Sequence, residues 1–216
     1  MAEVAVDQDV LLKGVQFGLA LDLLQVTCGS LAACGVLGTA RFVVPQRLKK
    51  KPPQAGLTSA LTMLQQILDQ AETLEPTDEE LALAGQLEYE AAKIGAAFDR
   101  GESQLCAMMI HRQLRFVLTG DKRAIAAVEQ LAEAQCVPAA HVAGRFRCLE
   151  QAFVDLAKAI GMPALKARVC AERGADLALS GCFSCSSPEV GEDSWWEGLD
   201  SYVRDARRQA PTVLSE

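Results

Sequence analysis

The sequence predicts an α/β fold, a mostly parallel sheet with helices packed on its faces. Three observations lead there. Single apolar runs of strand character alternate with stretches of helical periodicity, in the order β-α-α-β-α-α-α-β-α. Two of the strand-like runs end in an aspartate. The chain, at 216 residues and 50% hydrophobic, is long enough to bury a sizeable core.

Residues 3–7 open the chain as a first strand, and 10–26 follow as a helix in which Leu11, Leu12, Val15, Leu19 and Leu23 recur at helical spacing. Gly29, Gly35 and Gly38 break up a short second helical stretch, and Phe42 to Val44 is expected as the second strand, stopped by Pro45. Lys49 to Gly56, with Pro52 and Pro53 inside it, reads as a loop. Residues 57–74 form a helix that Pro76 ends; Thr77 caps the next, with Glu80 three residues on as a capping box requires. That helix runs to about Ala97. Gly101 precedes a helix from Glu102 to Leu114, Phe116 to Thr119 is the third strand, and 121–135 is again helical. From Pro138 onward the pattern is helical: 139–160, Pro163 to Gly174, a polar cysteine-bearing loop, then Ser194 to Gln209. A boundary near 135–140 would divide the chain into a first unit over 1–137 and a helical, cysteine-containing extension over 138–216, although the helix that follows could equally pack on the sheet.

Ligands of open α/β sheets bind at the carboxyl edge of the strands. Asp7 follows the first strand, Asp121 follows the third, and Glu102 opens a helix, so a parallel sheet brings these acids to one edge. Converging carboxylates make a hard-oxygen site suited to Mg2+ or Mn2+. Such a cation activates water and stabilises the leaving oxygen in phosphodiester hydrolysis. Asp7, Glu102 and Asp121 are the expected ligands; Asp99 supports them from one turn before Glu102, and Asp9 faces the same pocket. Each acid also suits a helix start, and one side chain can serve both roles.

Val4-Ala-Val-Asp7-Gln-Asp9 resembles the opening strand and first acid of PIN-domain ribonucleases. Asp99-Arg-Gly-Glu102 resembles their D-x-G-E helix start, and Leu118-Thr-Gly-Asp121-Lys-Arg resembles their last strand with its T-x-D acid. The likeness spans roughly 1–135. It implies a PIN-like three-layer α/β/α fold, a Mg2+ or Mn2+ site with Asp7, Asp99, Glu102 and Asp121 as the catalytic acids, and cleavage of single-stranded RNA. It further implies an antitoxin-like protein partner, since many such proteins are toxins of toxin–antitoxin pairs, and homodimers are common. The sequence departs from that pattern after the expected second strand, where Val44 to Lys51 holds no acid; Glu88 or Glu90 are the replacements to consider. A weakened site would leave a nucleic-acid-binding or protein-interaction subunit.

A net charge of −7 argues against binding polyanions through overall charge, although basic clusters occur, among them Arg47 with Lys49 to Lys51. Lys122 and Arg123, directly after Asp121, are candidates for holding a substrate phosphate. Ser103 and Thr119 are hydroxyls near the acids. Eight cysteines in a chain without a leader pattern are expected as thiols of a cytoplasmic protein. Cys182-Phe-Ser-Cys185, with Cys148 and Cys170, could alternatively hold Zn2+ or form a redox pair. His111 and His141 read as structural or surface residues, and Trp195-Trp196 as half-exposed, one of them available for stacking. Leu23 to Ala40 carries no charge, but its glycines and polar residues favour a buried helix-turn-helix over a membrane span.

Overall fold

A computed structural model describes residues 1–187 and 189–216. Its centre is a five-stranded sheet in the order β3-β2-β1-β4-β5, every pairing parallel. The strands are β1 (Val4–Val6), β2 (Cys34–Leu37), β3 (Glu72–Leu74), β4 (Phe116–Thr119) and β5 (Phe146–Cys148). β1 is the middle strand, with Val4 opposite Cys34 on one side and Phe116 on the other.

Successive side chains on a strand point to opposite faces, and the two cores follow that alternation. Val4, Val6, Val36, Phe116 and Leu118 enter one core, Ala5, Leu37 and Val117 the other. The first face is covered by α1 (Gln8–Gln16), α2 (Ala20–Cys28), α3 (Ala40–Lys50) and α4 (Leu57–Gln70). The second is covered by α5 (Asp78–Lys93), α6 (Arg100–Arg112) and α7 (Lys122–Glu133). This is the three-layer α/β/α arrangement that the sequence predicts. Strands β1, β2 and β4 are buried along their whole length, as strands sandwiched between helices must be.

The C-terminal residues add α8 (Ala139–Val142), α9 (Leu149–Ile160), α10 (Met162–Ala171), α11 (Leu177–Cys182) and α12 (Glu192–Gln209). They also supply β5, so the sheet continues past residue 137, and α9 places Phe153 and Leu156 in the same core as β1. The single helix expected over 139–160 is instead α8, β5 and α9.

The second strand is not Phe42 to Val44, which lies in α3 with Pro45 inside the helix and Phe42 64% exposed. It is Cys34–Leu37. A Cβ on Gly35 would come within 2.8 Å of Ala2 and Leu74 side chains, so close packing here demands glycine. The helix expected over 10–26 is broken into α1 and α2, and β3 takes the last residues of the helix expected over 57–74. Among the described residues no helix is long and apolar enough to cross a membrane; Leu23 to Ala40 runs through α2, a 3-10 turn and β2.

Candidate functional site

The carboxyl ends of the neighbouring strands β1 and β4 form the floor of the site. Asp7 leaves β1 in extended conformation and is the N-cap of α1. Its amide donates to the Leu118 carbonyl (2.9 Å), and the Thr119 hydroxyl donates to Asp7 Oδ2 (3.0 Å). The Asp121 amide in turn donates to Thr119 Oγ1 (3.1 Å), which fixes the start of α7 against the end of β1. Asp121 caps α7 by accepting from the Arg123 amide (2.8 Å), and the Arg123 guanidinium grips both of its carboxylate oxygens. Across the cavity, Asp99 is the N-cap of α6, and Glu102 Oε2 accepts from the Asp99 amide (3.0 Å).

Asp7, Asp99, Glu102 and Asp121 thus line one cavity of about 450 Å3, together with Asp9, Lys13, Arg47 and Arg123. All four acids singled out in the sequence are brought together. The electrostatic mark of that crowding is on Glu102, whose carboxyl is pushed up to about 7 by burial and by the charges of Asp121, Asp7 and Asp99. Burial and Asp9 also raise the Asp7 carboxyl, against the Thr119 hydrogen bond. Asp121 is held below its ordinary value by Arg123 although burial opposes this.

The donor chemistry suits a hard divalent cation: carboxylate oxygens whose mutual repulsion such an ion relieves. Among the described residues, however, no three His, Cys, Asp or Glu side chains are drawn together into a ready cage. Asp121 is turned to Arg123, so a cation that it binds has to displace this partner, while Asp9 is held by Lys13 (2.7 Å).

Several expected residues lie elsewhere. Lys122 pairs with Glu150 and lies 4.7 Å from the centre of the Tyr202 ring, outside the cavity that Arg123 lines. Glu88 does not reach the cavity; it accepts from the Ser103 hydroxyl (2.5 Å). Glu90 pairs with Lys93 (2.8 Å). Neither replaces the acid absent after the second strand, and Gly38-Thr39-Ala40-Arg41, which follows β2, offers none. Cys28, Cys34, Cys106, Cys136, Cys148 and Cys182 are the thiols expected, and Cys170 and Cys185 are not. Cys170 and Cys185 are bonded to each other, which removes both from a zinc set and leaves Cys182 without its expected partner Cys185. Cys148 and Cys182 are buried thiols pushed up to about 12 by burial, and therefore poor ligands and poor nucleophiles. His111 and His141 are exposed. Trp195 and Trp196 are half-buried against the core, and the Trp195 ring is covered by Lys166 at 3.9 Å.

Three participants escaped the sequence reading. Lys13 could have been found, since it lies one helical turn after Asp9. Arg47 belongs by sequence to a basic cluster with Lys49 to Lys51, and in the fold it lines the cavity. Asp176, which pairs with Lys13 (2.8 Å), carries no local signal. Comparison of the chain with protein-family models, curated proteins and solved structures finds no match.

Proposed function

We propose that the protein is a PIN-like, divalent-metal-dependent nuclease acting on single-stranded RNA. The observation that carries this reading is the convergence of Asp7, Glu102 and Asp121, from three separate elements, on one cavity at the carboxyl edge of the sheet. These three would hold Mg2+ or Mn2+. When bound, the cation polarises the phosphate and lowers the pKa of a water, which is the chemistry phosphodiester hydrolysis requires. Thr119 orients Asp7 through its hydroxyl hydrogen bond. Asp99 fixes Glu102 through its backbone amide. Arg123, 75% exposed and tethered only to Asp121 among the described residues, is free to turn to a substrate phosphate.

A cytoplasmic RNA-processing or toxin role with an antitoxin-like partner, and a homodimeric state, belong to the same proposal. The Cys170–Cys185 bond pulls against a reducing compartment. A second reading, a binding subunit with weakened catalysis, is favoured by the absence of an acid after β2.

The deciding experiment incubates the protein with labelled single-stranded RNA and Mn2+, beside an Asp121→Asn variant. Cutting by the wild type that drops at least about 100-fold in the variant supports the nuclease. Intact RNA in both reactions overturns it in favour of the binding subunit.

A further inference from the structure

We propose that Lys13 is a built-in cationic contact for the phosphate of the bound strand, and that Asp176 is the residue that positions it. The inference rests on the nuclease reading for the nature of the ligand. Its geometry comes from a part of the chain that reading does not use.

Lys13 projects from α1 into the cavity, with its side chain only 16% exposed. Its ammonium is 2.7 Å from Asp9 Oδ2 and 2.8 Å from Asp176 Oδ2. An ammonium has three N–H groups. Among the described residues two are accounted for, which leaves one in a cavity-lining group. The turn between β4 and α7 passes directly beneath this pair. A Cβ on Gly120 would lie 2.8 Å from Asp9 Oδ2 and 3.2 Å from Lys13 Nζ, so glycine there admits the ammonium beside the turn that carries Asp121.

Asp176 is locked through both oxygens. While Oδ2 holds Lys13, Oδ1 caps α11 by accepting from the Leu179 amide (2.8 Å). The segment around it is closed by the Cys170–Cys185 bond and joined to the end of α3 by the contacts of Lys51 with the Gly174 carbonyl and of Glu172 with the Gln54 amide. Asp9, one turn away, is shared between Lys13 and Arg47 (3.9 Å). Asp176, 11% exposed, supplies the second negative charge that these two cations need, at a cost in desolvation. It also adds direction: two tethers at separate points restrict where the remaining N–H can turn. Both carboxylates also hold the ammonium in its charged form against burial. The ligand that suits a fixed point charge beside candidate metal carboxylates is a non-bridging oxygen of a phosphodiester.

The test measures binding of a short single-stranded RNA by fluorescence anisotropy over a series of salt concentrations, without added divalent cation. Removing one phosphate contact to a single strand lowers the slope of log K against log salt by about 0.7. Lys13→Met is expected to show that fall, with affinity reduced about 10-fold at low salt. Lys13→Arg is expected to restore the slope. Asp176→Asn, which keeps the helix cap and the lysine charge, is expected to keep the slope and bind several-fold more weakly. The double variant Lys13→Met/Asp176→Asn leaves one carboxylate fewer without its partner and serves should the single change unfold the protein. A folded Lys13→Met protein, or a folded double variant, with wild-type slope and affinity overturns the inference while leaving the nuclease reading standing. A wild type that binds no RNA in this assay overturns the inference, while the nuclease reading stands or falls on the cleavage assay with Mn2+.

Discussion

Glu102 shows how one residue can serve structure and chemistry with opposed electrostatic demands. Its carboxylate caps the Asp99 amide, which favours the charged form, yet burial and three neighbouring acids push the group up to about 7 from an ordinary 4.5. The folded protein therefore retains a proton on Glu102 that the unfolded chain has already released between those two values. Where the native state binds more protons, stability falls as pH rises. The contribution of Glu102 is thus fully present below 4.5, declines through the interval and levels off above about 7. Asp121 acts in the other direction: Arg123 depresses it, so its contribution is present at neutral pH and is lost in acid. A cation must displace the Glu102 proton, so Mn2+ affinity should strengthen from about pH 5 to about pH 8 and then flatten. Titration calorimetry in buffers of differing ionisation enthalpy should show proton release on binding. Glu102→Gln should abolish that release, and an unchanged proton count in the variant would show that another group titrates. The four acids were legible because each sits where a strand ends or a helix begins, positions that sequence punctuation marks. The Lys13–Asp176 pair was not, because its members are brought together only by the packing of the C-terminal segment on α1.

At the scale of elements, legibility followed side-chain size. β1 and β4 are uninterrupted apolar runs and were found; β2 has glycine at its second position, demanded by contact with Ala2 and Leu74, and so looked like a break. β3 is Glu72-Thr-Leu74 and β5 has Arg147 in its middle, so neither reads as an apolar run, unlike the equally short β1. Disulfide pairing is not encoded in cysteine spacing at all. The bond that did form, Cys170 to Cys185, encloses α11 and the Asp176 cap with a sequence separation of 15. Closing a loop of this length is worth about 3 kcal/mol in the chain-entropy picture. Replacing both cysteines by serine should lower the stability measured in urea by about that amount. An unchanged midpoint and slope would show that packing alone holds the segment.

At the scale of the molecule, the two halves distinguished in the sequence share one sheet and both of its cores. β5 covers the free side of β4, the segment after Ala210 hydrogen-bonds to β5 at Phe146, and α9 fills the core beside β1 with Phe153 and Leu156. A fragment ending at residue 137 would bare the edge of β4 and a large apolar face. It should therefore aggregate or show poorly dispersed amide resonances. A well-dispersed, monomeric spectrum from that fragment would show that the first unit folds alone. The hydrogen bond between Thr119 and Asp7 bridges 112 positions of sequence. No local stretch of chain can therefore hold the whole of this pocket. During refolding the recognition of any ligand must await closure of that long loop, so ligand capture marks the end of assembly and not its beginning.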